Sequence, residues 1–280
     1  MTEFIENACS MYEELSGRTL KPAPSPYVSE GSLTDDDWDE RGALSNEASK
    51  VLMKVLWCAR LARPDLMKAI ADLTRRLTVW ARADDKRLHR LMCYLFGSKG
   101  FRLKGTIADP AEKLYLCMCT DADHCSAHED TKSSCGMYLT LEGPNSFWPL
   151  SWTSKKQTAT ARSTTEAEMF SLGLELFSEA IPKQEFLECV LQREIQMFGY
   201  QDNSAVIQIV DSGYSPKLRR FKKVFTINIG SIHEFFSENE TGKLLYIKTA
   251  AQRADPFTKP LPVAKWIEAL QQMNVHIQIR

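Results

Sequence analysis

Between residues 46 and 153 the recurrence of apolar residues changes from a helical to a strand period, and that change limits the folds open to the chain. In PDLMKAIADLTRRLTVW, Leu66, Ile70, Leu73, Leu77 and Trp80 recur at alternating steps of four and three, which predicts one apolar helical stripe with Pro64 at the first helical position. Flanking segments NEASKVLMKVLWCARLA and DDKRLHRLMCYLFG extend the helical pattern to Gly97. After Gly105 the period is two. KLYLCMCTD (113–121), CGMYLTL (135–141) and SFWPLSWT (146–153) predict three strands, the last two joined as a hairpin by EGPN. A helix then starts near STTEAEMFSL (163–172) and runs towards Pro182, resuming to about 195. IQMFGYQD predicts a fourth strand, SAVIQIV a short helix, residues 217–239 further helix and KLLYIKT (243–249) a fifth strand. This order predicts an α/β (α+β) domain with a five-stranded mixed sheet flanked by helices, preceded by a small helical segment.

The expected organisation is an acidic, irregular extension over 1–45, a helical segment over 46–110, the sheet domain over 111–262 and a helix or tail over 263–280. Within the extension, KPAPSPY is held extended by its prolines and SLTDDDWDERG is expected to be a solvated linker. A net charge of −1 excludes a global basic field, so any nucleic-acid contact must come from local patches. Lys68, Arg75, Arg76 and Arg82 suit either a solvated helix surface or phosphate contact. MTEFIENACS lacks the apolar core of a secretory leader, and no apolar run approaches a membrane span. The expected setting is therefore intracellular and reducing, a cytoplasmic particle or the nucleus, with no membrane partner. Cys117, Cys119, Cys125 and Cys135, with His124 and His128 nearby, lack the paired C-x2-C spacing of structural zinc. Strand alternation puts Cys117 and Cys119 on one sheet face, as small core hydrophobes.

Four carboxylates fall at the ends of elements: Asp121 in CTDAD, Glu168 in the first turns of the helix, Asp202 in GYQDNSAVI and Asp255 in AAQRADPFTKPL. Each has a local explanation as a loop or capping residue. Glu168, for example, lies three residues after Thr165, the spacing of a capping box, and Glu166 also suits the helix start. Adjacent strands bring their ends together, however, and clustered carboxylates repel unless a divalent cation joins them.

The ordered blocks TDAD, TKSSCGMYLTL, SWTSKKQTATARSTTEAEMFSL, YQDNSAVI and QRADPFTKPL resemble the ribonuclease H domain of copia-type retrotransposon Pol polyproteins. LMKVLWCARLARPDLMKAIADLTRRLT…DKRLHRLMCYLFGSKG is similar to the segment that connects reverse transcriptase to ribonuclease H in those polyproteins. The resemblance covers roughly residues 46–262. It implies an endonuclease that hydrolyses the RNA strand of RNA–DNA hybrids. Two Mg2+ ions (Mn2+ as an alternative) would lie about 4 Å apart on Asp121, Glu168, Asp202 and Asp255, one activating water and the other stabilising the leaving 3′ oxygen. By the place of the glutamate in AEMFSL, Glu168 is the expected ligand and Glu166 serves the helix end. The partners implied are the hybrid, read through its shape and 2′-hydroxyls, and the polymerase portion of the polyprotein. Lys155, Lys156 and Gln157 in SKKQ, Asn203, and Lys217, Arg219 and Arg220 in KLRRFKK are the candidate nucleic-acid contacts.

Two departures stand out. LLYIKTAAQRAD lacks the histidine that many ribonucleases H carry before the last aspartate, and RRFKKVFTINIGSIHEFF replaces the usual copia-type sequence after Asp202. No apolar-flanked YxDD occurs, so DNA synthesis is not expected of this chain. The alternative function is a hybrid-binding remnant of the same polyprotein that keeps the fold without turnover. An integrase would need three acids at a different spacing and a His/Cys zinc module upstream, and neither occurs.

Overall fold

The helical pattern near the N-terminus forms α1 (Thr2–Ser16), α2 (Asp35–Asp39), α3 (Ala48–Leu61), α4 (Met67–Thr74) and α5 (Arg82–Gly97), followed by the two-residue strand β1 (Arg102–Leu103). The strand pattern forms β2 (Tyr115–Asp123), β3 (Ser134–Gly143) and β4 (Ser146–Lys156). Then come α6 (Thr164–Glu175), α7 (Ile181–Leu191), β5 (Met197–Gln201), α8 (Ser204–Ser212), α9 (Phe221–Phe225) and α10 (Ile229–His233). The chain continues through β6 (Gly242–Tyr246), α11 (Asp255–Thr258), α12 (Val263–Gln272) and β7 (Val275–His276). The structure, a computed structural model, describes residues 1–29, 31–123 and 132–276. They divide into two units, Met1–Leu103 with the segment from Pro260 onward, and Lys104–Lys259.

In the first unit, α1, α3 and α5 bury Ile5, Ala8 and Tyr12 with Val51, Leu52, Val55, Leu88, Leu91 and Leu95. The stripe expected from Leu66 to Trp80 is helical only to Thr74. Beyond it Arg76 turns back to Asp84 (2.8 Å) and Trp80 Nε1 donates to Asp85 (2.7 Å), so Trp80 is buried from a turn rather than a helix. The segment SLTDDDWDERG is not a solvated linker. Asp37 closes the start of α2 by accepting from Thr34 N–H, is fully buried, and receives Arg82 Nε (2.7 Å) and Lys86 Nζ (2.6 Å). Of the basic residues weighed as phosphate contacts, Lys68 and Arg75 pair with Asp72, Arg76 with Asp84 and Arg82 with Asp37 and Glu40. Their charges are met inside the unit.

At its centre Arg63, 1% exposed, donates to both oxygens of Asp65 (2.9 and 2.7 Å) and to the Ser98 carbonyl (3.0 Å). Tyr94 adds its hydroxyl to Asp65 (2.7 Å). The C-terminal segment completes this unit. Trp266 of α12 is buried edge-on to Tyr27 and Tyr94, and β7 pairs antiparallel with β1.

The second unit is built on one five-stranded sheet of order β4-β3-β2-β5-β6. β2–β3 and β3–β4 are antiparallel, with Pro144 and Asn145 turning the expected hairpin, whereas β5 runs parallel to both β2 and β6. This is the mixed, helix-flanked sheet of the ribonuclease H-like fold. Leu116, Met118, Met137 and Leu139 point to the face packed with Met169, Leu172, Val206 and Val210 of α6 and α8. Cys117 and Cys119 point to the other face with Ala254, as alternation requires. Cys135 belongs to the first face, so its sulfur cannot converge with theirs. His124, Cys125 and His128 lie outside the described residues. Pro182 does not stop the long helix, because a π turn over Leu176–Ala180 widens the backbone just before it and α7 continues to Leu191.

Candidate metal centre

Because β2 and β5 are parallel neighbours, with Cys119 level with Tyr200, the next residues carry Asp121 and Asp202 to the same edge of the sheet. α6 is tied to that edge by Ser171, whose hydroxyl donates to the Asp121 carbonyl (2.8 Å). One turn earlier on α6, Glu168 faces the same point. Asp121, Glu168 and Asp202 each offer an oxygen, and these oxygens lie within 4.8 Å of one another. Asp121 is 3% and Glu168 5% exposed.

The electrostatics are those of a site short of positive charge. Burial, then the charges of Asp121 and Asp202, push the Glu168 carboxyl up to about 9. Burial also raises Asp121, against the pull of Lys259 and the Thr258 hydroxyl. Glu168 Oε2 is buried without a hydrogen-bond partner, which is costly for a carboxylate and which a cation bound beside it would relieve. Three hard oxygen donors within 4.8 Å of one another fit Mg2+ or Mn2+ better than a soft metal.

Asp255 is the member of the expected quartet that does not join at this spacing. It starts α11, and its Oδ1 lies 2.9 Å from Lys259 Nζ, whose other neighbour is Asp121 Oδ2 at 3.7 Å. Burial and Asp121 push the Asp255 carboxyl up to about 6, with Lys259 opposing. α11 can lie this close to β3 because Gly136, level with Asp121, has no side chain. A Cβ there would meet Thr258 Cγ2 at 2.7 Å and Phe257 Cβ at 2.8 Å. The Thr258 hydroxyl donates to Asp121 Oδ2.

The two glutamates of STTEAEM are distinguished by geometry. Ser163, not Thr164 or Thr165, caps α6 by accepting from Glu166 N–H (3.1 Å), and Glu166 Oε2 accepts from Arg162 N–H (2.6 Å). Glu166 closes the helix end and Glu168 faces the aspartates. Among the other candidates, Gln157 is a correction. It is 2% exposed, and its Nε2 donates to the Ala167 carbonyl (2.8 Å), so it braces α6 from inside and is not placed to meet a phosphate. Lys155 lies 3.5 Å from Glu175 and 3.8 Å from Glu179. Asn203 caps α8 through Ala205 N–H (3.0 Å) beside Asp202. Lys156 is half-buried; Lys217, Arg219 and Arg220 are exposed, and among the described residues these three make no ion pair.

A retrovirus-related Pol polyprotein from transposon TNT 1-94 of Nicotiana tabacum is 26% identical over 270 residues, 94% of this chain and 19% of that protein. A second, from transposon RE1 of Arabidopsis thaliana, is 30% identical over 157 residues, 55% of this chain and 10% of that protein. This chain's homologues are retrovirus-related Pol polyproteins of plant transposons. It spans about a fifth of the length of the first and a tenth of the second. No protein-family model matches it. Among the described residues no helix is long and apolar enough to cross a membrane.

Lys259, Thr258, Ser171 and Gly136 all shape this centre, and none was singled out from the sequence. Lys259 had a usable signal, since it lies four residues after Asp255 and so on the same side of a helical turn. The burial of Glu168, with its Oε2 unpartnered, gives a direct expectation. Without divalent metal, Glu168 must take up a proton on folding near neutral pH; Glu168→Gln is neutral in both states and should stabilise by about 1–3 kcal/mol, a rise on the order of 3–8 °C in Tm. The same variant should lose the Tm increase that Mg2+ gives the parent chain. Differential scanning fluorimetry with and without Mg2+ checks both.

Proposed function

We propose that residues 104–259 are a metal-dependent ribonuclease H that hydrolyses the RNA strand of RNA–DNA hybrids, carried on a fragment of a retroelement Pol polyprotein. The observation that carries this is the convergence of oxygens from Asp121, Glu168 and Asp202 to within 4.8 Å of one another at the edge of a ribonuclease H-like sheet, with Glu168 Oε2 buried and unpartnered.

In this reading Asp121, Glu168 and Asp202 hold the divalent ion, which when bound supplies Lewis acidity to water and to the scissile phosphate. The protein's own work is placement. Ser171 and the β2 ladder fix Asp121; Gln157 and the Ser163–Glu166 cap hold the start of α6, and hence Glu168; Asn203 anchors the turn that carries Asp202. Asp255 and Lys259 line the opposite side of Asp121.

The hybrid would be held through its backbone. Leu218, Phe221 and Phe225 are buried, whereas Lys217 before them and Arg219, Arg220, Lys222 and Lys223 between them are exposed to solvent. Arg219→Glu with Arg220→Glu is expected to weaken hybrid binding at least about tenfold and to lower the slope of log affinity against log salt by about two. A salt titration by fluorescence anisotropy reads both. The polymerase portion of a polyprotein is the proposed neighbour of the first unit.

The function itself is tested with a hybrid labelled on the RNA strand. Mg2+- or Mn2+-dependent cleavage of that strand, stopped by EDTA, is the expected result. Hybrid binding without cleavage in either metal would assign the chain to a binding module that has lost turnover.

A further inference from the structure

The four carboxylates expected to share two ions are not equivalent. Three converge on one point, whereas the space between Asp121 and Asp255 is already served by an ammonium. Lys259 Nζ lies 2.9 Å from Asp255 Oδ1 and 3.7 Å from Asp121 Oδ2. Its side chain is 35% exposed, so it reaches inward from the rim.

The reach is built into the scaffold. Lys259 lies four residues after Asp255 and caps α11 by donating its N–H to the Asp255 carbonyl (3.2 Å). The adjacent Thr258 hydroxyl is fixed on Asp121 Oδ2, and the helix is seated against Gly136. The carboxylates on either side of the ammonium are therefore held in place by the same short helix and by β2. A lysine ammonium is a compact point charge with three donors, which lets it act as the counter-charge of two carboxylates at once. It is also on a flexible stem and can withdraw.

Resting on the ribonuclease H reading of the site, we propose that Lys259 is a tethered cation occupying the second-ion position between Asp121 and Asp255. The free chain then takes one divalent ion with high affinity, at Asp121, Glu168 and Asp202, and a second only when the ammonium withdraws. A divalent ion needs oxygens at 2.0–2.1 Å, closer than Lys259 leaves them, and it would meet a like charge at short range.

The test is binding of Mn2+ alone to the full chain without nucleic acid, by isothermal titration calorimetry and electron paramagnetic resonance, with far-UV circular dichroism as the check on folding. The parent chain is expected to bind one Mn2+ tightly. Lys259→Met is expected to bind two, or to gain at least about tenfold in affinity for the second. Lys259→Arg, which keeps the charge, should retain the single tight ion, and so separates charge from packing. Two tight ions in the parent, or one in both the parent and Lys259→Met, would overturn the role of Lys259 and leave the metal centre standing. No Mn2+ bound by the folded parent chain would overturn the metal centre and the role of Lys259 together.

Discussion

Asp121→Asn is expected to lower cleavage of the RNA strand by well over 100-fold while leaving the fold intact. Asparagine has nearly the same shape, and its carbonyl oxygen can still accept the Thr258 hydroxyl that Asp121 receives. The β2 ladder and the Ser171 bond use only backbone atoms at this position. What is lost is charge, at the one carboxylate that lies within reach of both Glu168 and Asp202 on one side and Lys259 on the other. Altering a group that merely supports a metal ligand already costs 10–100-fold, and a ligand itself should cost more. Single-turnover cleavage at saturating Mg2+ measures the effect, with circular dichroism to verify the fold. Undiminished cleavage by Asp121→Asn would mean that the hydrolysis arises elsewhere.

The largest expected loss of stability lies far from this chemistry in sequence. Arg63→Ala should cost about 3–5 kcal/mol, the range for removing one partner of a buried ion pair. The change strands Asp65, whose two oxygens both rely on Arg63, and frees the Ser98 carbonyl, which receives Arg63 at 3.0 Å. Tyr94 still donates to Asp65, but a hydroxyl does not neutralise a carboxylate. Since each 1.4 kcal/mol is a factor of ten, amide protection in α5 should fall by about two to three and a half orders of magnitude. Hydrogen–deuterium exchange reads this directly. A change below tenfold would mean that water enters and solvates Asp65 in place of the guanidinium.

These two residues show which kinds of information the sequence carried. Asp121 was legible because strand period and element order locate strand ends, and parallel neighbours must align them. The sheet followed from the same period, with boundaries moved by two or three residues where polar ends such as Ala122–Asp123 and Ser154–Lys156 continue the ladder. Arg63 was not legible. A charged residue before a proline gives no local sign that it will be buried, and its partner at Ser98 is reached only through the packing of α5. The acidic stretch at 35–37 misled for the same reason, because Asp37 finds Arg82 and Lys86 only in three dimensions. Around the candidate metal centre, element ends and the ordered motifs pointed to the acids while spacing alone left Glu166 and Glu168 open. The cap at Ser163 and the orientation of α6 separated them. Gln157 was misplaced because a polar residue next to two lysines reads as surface, whereas strand geometry turned it under α6.

The return of the C-terminal segment to the first unit has a consequence for the order of events on the ribosome. Trp266 and the strand Val275–His276 are translated after everything in Lys104–Lys259, yet they fill the core and pair the edge of the unit translated first. At about 5–20 residues per second, the sheet unit emerges whole while the helical unit still lacks Trp266. Until then Tyr27 and Tyr94 lack the ring they pack against in the finished protein. The later-made unit thus has the means to finish first, and the earlier one waits for Trp266 and Val275–His276.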